Sequence, residues 1–131
     1  MSPMGDKTLL MISSSIELAT GLALIAVPSL VASVLLSAEL TSGGMAVGRG
    51  GGLGLVSLAI ACWPRGEGPY VQPIRALFLY NLMAAFYLGY LRIGGEFDSF
   101  LLLPASALHG ILALLFARRV YEGATGHAQK A

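Results

Sequence analysis

Four long apolar stretches follow one another along the chain. Each carries one strongly polar residue in its interior: Glu17, Arg49, Asn81 and His109. A hydrocarbon layer about 30 Å thick is crossed by about 20 helical residues. The pattern therefore predicts membrane-spanning helices over about residues 8–36, 43–63, 72–91 and 100–120. At about 1.5 Å per residue the first is longer than the membrane is thick, so a tilt, or a kink at Pro28, is expected. Pro104 falls in the first turn of the fourth, where a missing N–H does little harm.

The connections are short. Residues 37–42 join the first two helices, PRGEGPYV (64–71) forms a Pro- and Gly-rich turn, and RIGGEFDS (92–99) closes the third helix at Gly94. Asp98 or Ser99 is the next N-cap. Loops of this length make neighbouring helices antiparallel, so the expected fold class is all-α, a transmembrane antiparallel four-helix bundle over residues 1–121. The small, polar segment 122–131 is expected to be a flexible tail. The first apolar stretch is too long for a signal peptide and is interrupted by Glu17, so it is read as an uncleaved span.

Composition supports this class. The chain has 131 residues, of which 56% are hydrophobic and 11% charged, against about 25% charged in a soluble domain. A net charge of +1 without any Lys/Arg run gives no nucleic-acid signal. The single cysteine, Cys62, forms no intrachain disulfide and reads as a small core residue. Charge distribution sets the orientation. Lys7, Arg65, Arg75, Arg118, Arg119 and Lys130 collect on one side; Arg49 and Arg92 fall on the other, with Glu39, Glu96 and Asp98. By the positive-inside rule both termini are cytoplasmic, which in a bacterium means the inner membrane. Trp63 and Tyr70 then lie at the cytoplasmic interface and Tyr90 at the outer one.

A charge at mid-membrane costs a few kcal/mol or more, roughly 2.5–3.5 by insertion scales, unless it is paired or wetted, and by default marks a site. Glu17 lies nine residues after Thr8, Asn81 eight after Pro73 and His109 nine before Arg118. All three therefore share a layer roughly 12–14 Å from the cytoplasmic end. Arg49 enters roughly two turns higher and can reach down toward Glu17 or up toward water. Ser13, Glu17, Gly21, Leu24 and Pro28 share one face of the first helix, and Ala105, His109 and Ala113 repeat the pattern on the fourth. Gly21 and its small neighbours leave room beside the carboxylate for a side chain or a ligand. Gly44, Gly48 and Gly52 form small-xxx-small patterns that permit close helix packing. GRGGGLG has no Walker lysine and no preceding strand, so it is not a phosphate loop.

The candidate ligand-binding set is thus Glu17, Arg49, Asn81, His109, Ser13 and Gly21. Glu17 and His109 are also candidate catalytic groups, as an acid–base pair. Each has a structural reading: Glu17 as a neutral carboxyl bonded to Ser13 or His109, Arg49 as an interfacial anchor, Asn81 as interhelical glue, and His109 as a satisfied core histidine. A metal is not expected from two ligands and an asparagine, nor is a bis-histidine haem, because His127 lies in the tail. A quinone-like molecule, its carbonyls hydrogen-bonded by Glu17 and His109 and walled by Tyr80, Tyr87 and Phe86, fits this chemistry.

The segments ELATGLALIAVPSLV, GRGGGLGLVSLAIACW, LYNLMAAFYL and LPASALHGILALL resemble small four-span bacterial membrane proteins of the DoxX-like kind, over most of the chain. The resemblance implies a four-helix membrane bundle and a quinone or redox link; no catalytic motif carries over. Small multidrug resistance transporters also have four spans with a membrane-embedded Glu in the first, to which Glu17 followed by Gly21 is similar. The Glu-to-Gly spacing, the third helix and the strong charge bias depart from that family. Four functions follow as expectations. The first is a ligand-binding or accessory membrane subunit, in a homo-oligomer or larger membrane complex among lipid. The others are an oligomeric proton-coupled transporter, a membrane isomerase or oxidoreductase, and a structural scaffold.

Overall fold

The computed structural model describes residues 5–128, with side chains through Gly123. It is all-α. The helices are α1 (Asp6–Ala26), α2 (Pro28–Leu36), α3 (Ser42–Cys62), α4 (Val71–Ile93) and α5 (Leu102–Ala128). The four longer ones are long and apolar enough to cross a membrane, which makes this a multi-pass membrane protein.

Local chemistry places the breaks. The long first stretch divides at Val27, with Pro28 opening α2 as its first residue, because proline has no N–H to continue the α1 ladder. Thr41 caps α3, its hydroxyl accepting from the Gly44 amide at 3.2 Å. Gly94 closes α4. Ser99 makes the turn into α5: its Oγ accepts from the Leu101 amide (3.2 Å) and donates to the Val34 carbonyl (3.0 Å), tying α2 to the α4–α5 connection. The expected loose segment from Glu122 instead continues α5 to Ala128. Ion pairs from Arg118 (2.8 Å) and Arg119 (3.4 Å) to Glu122 carry the helix past the last apolar turn. Residues 129–131, including Lys130, lie outside the described residues.

The helices associate two by two, α1 along α3 and α4 along α5, with thinner contact between the pairs. The pairs meet in an apolar core at the basic end. There Leu9 and Leu10 of α1, Cys62 of α3, Ile74 and Leu77 of α4, and Leu112 and Phe116 of α5 form one buried cluster. Starts of α1 and α4 thus face ends of α3 and α5, which is the antiparallel arrangement short loops require. Cys62 is a buried core residue, as its context predicts.

The α1–α3 seam is a backbone contact. A Cβ on Gly52 would stand 2.6 Å from the Gly21 carbonyl oxygen, and one on Gly21 would stand 2.8 Å from that of Gly52. Lipid offers no hydrophobic drive between helices, so such close packing is what holds them. Gly48 packs more loosely, on the Pro28 ring, and Gly44 faces its own entry loop at Leu40; Gly50, Gly51 and Gly54 face open space. The room foreseen beside Gly21 is therefore occupied by the α3 backbone, and Gly21 is a packing residue.

These contacts set opposite expectations for chemically identical changes. Gly52→Ala improves intrinsic helix propensity by about 0.8–1.0 kcal/mol but drives Cβ into a carbonyl. Overpacking costs of about 1–3 kcal/mol should win, lowering the thermal midpoint in detergent. Gly54→Ala meets nothing and should leave the midpoint unchanged or higher.

Candidate functional site

One α-helical turn above the core, α1, α4 and α5 bring their polar residues together. Ser13 and Glu17 lie a turn apart on α1, both buried, with Glu17 only 1% exposed. Asn81 faces them from α4, fully buried, and His109 completes the group from α5 with 13% of its side chain exposed. The equal depths counted along the sequence are thus equal depths in space.

Asn81 organises the group. Its Nδ2 donates to its own helix at the Leu77 carbonyl (2.8 Å) and across to Ser13 Oγ on α1 (3.2 Å). With both amide donors committed, Oδ1 is the acceptor, and it lies 2.9 Å from His109 Nδ1. The proton of a neutral His109 therefore sits on Nδ1, leaving Nε2 as the ring's acceptor. The Glu17 carboxyl approaches the same ring, Oε1 at 3.9 Å from Nδ1. Tyr80, one residue before Asn81, sets its ring edge-on to the imidazole, centroids 5.8 Å apart at 82°, and its hydroxyl lies near the Glu17 carboxyl.

Two polar atoms in this layer stand out. Glu17 Oε1 and Ser14 Oγ are buried and without a hydrogen-bond partner among the described residues. A buried acceptor left open costs about 1–3 kcal/mol, more for a charged group. The cluster is therefore closed along Ser13–Asn81–His109 and open at Glu17. Such an opening suits a hydroxyl-bearing guest or a mobile proton.

The remaining candidates lie apart. Arg49 is exposed on α3, and its Nε donates to the Ile25 carbonyl at 3.3 Å. It caps the last turn of α1 where the Pro28 break frees carbonyls, at the negative end of the helix dipole. Among the described residues it forms no ion pair with Glu17, so it belongs to the packing of α1 rather than to the polar layer. Phe86 and Tyr87 do not wall the site: they are 73% and 62% exposed. Tyr87 shares the α4 face of Tyr80 two turns on, but it is exposed. Phe86 instead lines an open groove of about 820 Å³ between α4 and α5, with Phe78, Leu82, Gly89, Ser106 and Gly110. Ser106 stitches the two helices by donating to the Ala85 carbonyl (2.8 Å). The sequence reading overlooked Ser14 and the contact of Tyr80 with Glu17. The position of each, one turn from Glu17 on α1 and beside Asn81 on α4, carried the signal.

Among the described residues no group of three or more His, Cys, Asp or Glu is placed to hold a metal ion. No protein-family model, curated protein or solved structure matches the chain.

The Asn81 bonds make a spectroscopic and a thermodynamic expectation. In wild type the ¹⁵N shifts of His109 should report a protonated Nδ1. Asn81→Leu should release that tautomer preference and lower stability by about 1–3 kcal/mol, the range for stranding buried partners, read from the same thermal unfolding transition.

Proposed function

We propose that the protein is a ligand-binding subunit of the bacterial inner membrane, with both termini cytoplasmic. Its layer of Glu17, Asn81, His109 and Ser13 holds a small or lipid-like molecule of quinone type. The observation that carries this reading is the Glu17 carboxyl, almost wholly buried, with one oxygen unpartnered beside the His109 ring. A purely structural carboxyl would be closed by the same hydrogen bonds that close Ser13 and Asn81.

The donor–acceptor pattern refines the ligand. His109 Nδ1–H is engaged by Asn81, so the open positions are Glu17 Oε1 and His109 Nε2. Both accept when Glu17 is ionised and His109 neutral. A hydroxyl, as in the reduced quinol form, can donate to either, and can also accept from a protonated Glu17. The apolar α4–α5 groove, lined on α5 by Ser106, Gly110 and Ala113, offers a bed for a hydrocarbon tail. The resemblance to DoxX-like proteins points the same way, and a homo-oligomer or larger membrane complex would supply the redox partner.

One feature favours a second reading, proton-coupled transport. The polar layer straddles the thin seam between the α1–α3 and α4–α5 pairs, where rocking of one pair against the other would expose Glu17 alternately. Proteoliposomes that show no flux of candidate substrates driven by a pH gradient would count against it.

The binding reading is tested with purified protein in nanodiscs and a short-chain ubiquinol analogue. Glu17→Gln and His109→Ala should each weaken binding by roughly tenfold, about one charge-assisted hydrogen bond. Glu17→Gln should keep or raise thermal stability, since the amide matches the carboxyl in size and Oε1 has no hydrogen bond to lose. Unchanged affinity and retained-ligand content in both variants would falsify the reading, and a loss of stability without a loss of binding would assign the cluster to scaffolding.

A further inference from the structure

We propose that the basic end of the bundle carries a site for the phosphate of an anionic phospholipid, in a cleft between the start of α1, the start of α4 and the end of α5. The cleft encloses about 420 Å³. Its apolar wall is made by Val71, Ile74 and Val120; Ile74 belongs to the buried core and Val120 packs against it. Its polar side carries Arg75, Arg119, Asp6 and Glu122.

These charged groups play different parts. Arg119 is held from two sides, by Asp6 at 3.3 Å and Glu122 at 3.4 Å. Those carboxylates offset its charge and fix its guanidinium in the wall. Arg75 is exposed and has no carboxylate within ion-pair distance among the described residues. It stands just above the first turn of α4, whose N-cap Tyr70 makes no side-chain capping bond. The Tyr70 hydroxyl is turned away, donating to the Gly66 carbonyl at 2.6 Å. The free amides of Val71 and Gln72 and the positive end of the α4 dipole therefore add to Arg75. The surplus at this position is positive, in a planar fork suited to two phosphate oxygens.

Depth identifies the source of the phosphate. The cleft lies where the apolar span of α4 begins and that of α5 ends, the level of lipid headgroups. A free anion would satisfy Arg75 but leave the wall of Val71, Ile74 and Val120 uncovered. A phosphate joined to acyl chains covers both. Lys7, Arg65 and Arg118 at the same end add the diffuse attraction that concentrates anionic lipid there.

The test uses the full chain in detergent micelles, with native mass spectrometry and thermal unfolding read against added phosphatidylglycerol. Wild type should retain phosphatidylglycerol over phosphatidylcholine and gain thermal stability from it. Arg75→Ala should weaken retention roughly tenfold or more and Arg75→Lys less, whereas Arg65→Ala, the same charge loss outside the cleft, should change it by less than about twofold. Circular dichroism and gel filtration of each variant show that it is folded. Equal losses for Arg75→Ala and Arg65→Ala would mean surface charge without a site and would overturn the proposal. So would unchanged retention in Arg75→Ala, or a stabilisation that inorganic phosphate reproduces alone.

Discussion

The Asn81 side chain holds the two halves of this molecule in register. It bonds to its own helix at Leu77, to α1 at Ser13 and to α5 at His109. The pairs α1–α3 and α4–α5 are each held internally by long contact, but between them the shared surface is thin. In lipid, hydrophobic burial does not draw two helix pairs together, so packing and interhelical hydrogen bonds must do so. An apolar plug at the basic end, a polar clasp one turn above it, and the Ser99 bond from the α4–α5 connection to α2 supply that connection. Everything proposed about the Glu17 layer depends on the clasp, because it fixes the His109 tautomer and sets the ring beside the carboxyl.

Within each pair the fastening differs, and the difference follows from side-chain size. In α1–α3 the contact is backbone on backbone, through Gly21 and Gly52, with Arg49 closing the carbonyl end of α1 at the Pro28 break. In α4–α5 Ser106 bonds to the Ala85 carbonyl, and these two residues, with Gly89 and Gly110, form part of the floor of a broad groove between the helices. The first pair is thus a tight seam and the second an open-sided one.

Much of this could be read from residue order. Four apolar stretches of membrane length, the interruption at Pro28, the stop at Gly94 and the equal depths of Glu17, Asn81 and His109 follow from helix rise, proline chemistry and the cost of polar groups in hydrocarbon. Those rules are local or act along one axis. Rotation about that axis was less legible. Gly21 shares a face with Glu17, yet it serves the α3 contact, because a face about 100° wide can meet two neighbours. Tyr87 repeats the face of Tyr80 but is exposed, because position on a helix face does not by itself say which neighbour covers it.

Sequence alone thus determined the class of the protein, its membrane-length helices, and the layer in which its polar residues lie, since hydropathy, helix geometry and proline act along the chain. Only the tertiary structure decided which partners those residues have. It gave Asn81 to Ser13 and His109, Arg49 to the end of α1, and left one oxygen of Glu17 unpartnered. Hydrogen bonds are satisfied by the nearest suitably oriented group in space, and distance in space is fixed by how helices rotate and pair rather than by their order along the chain.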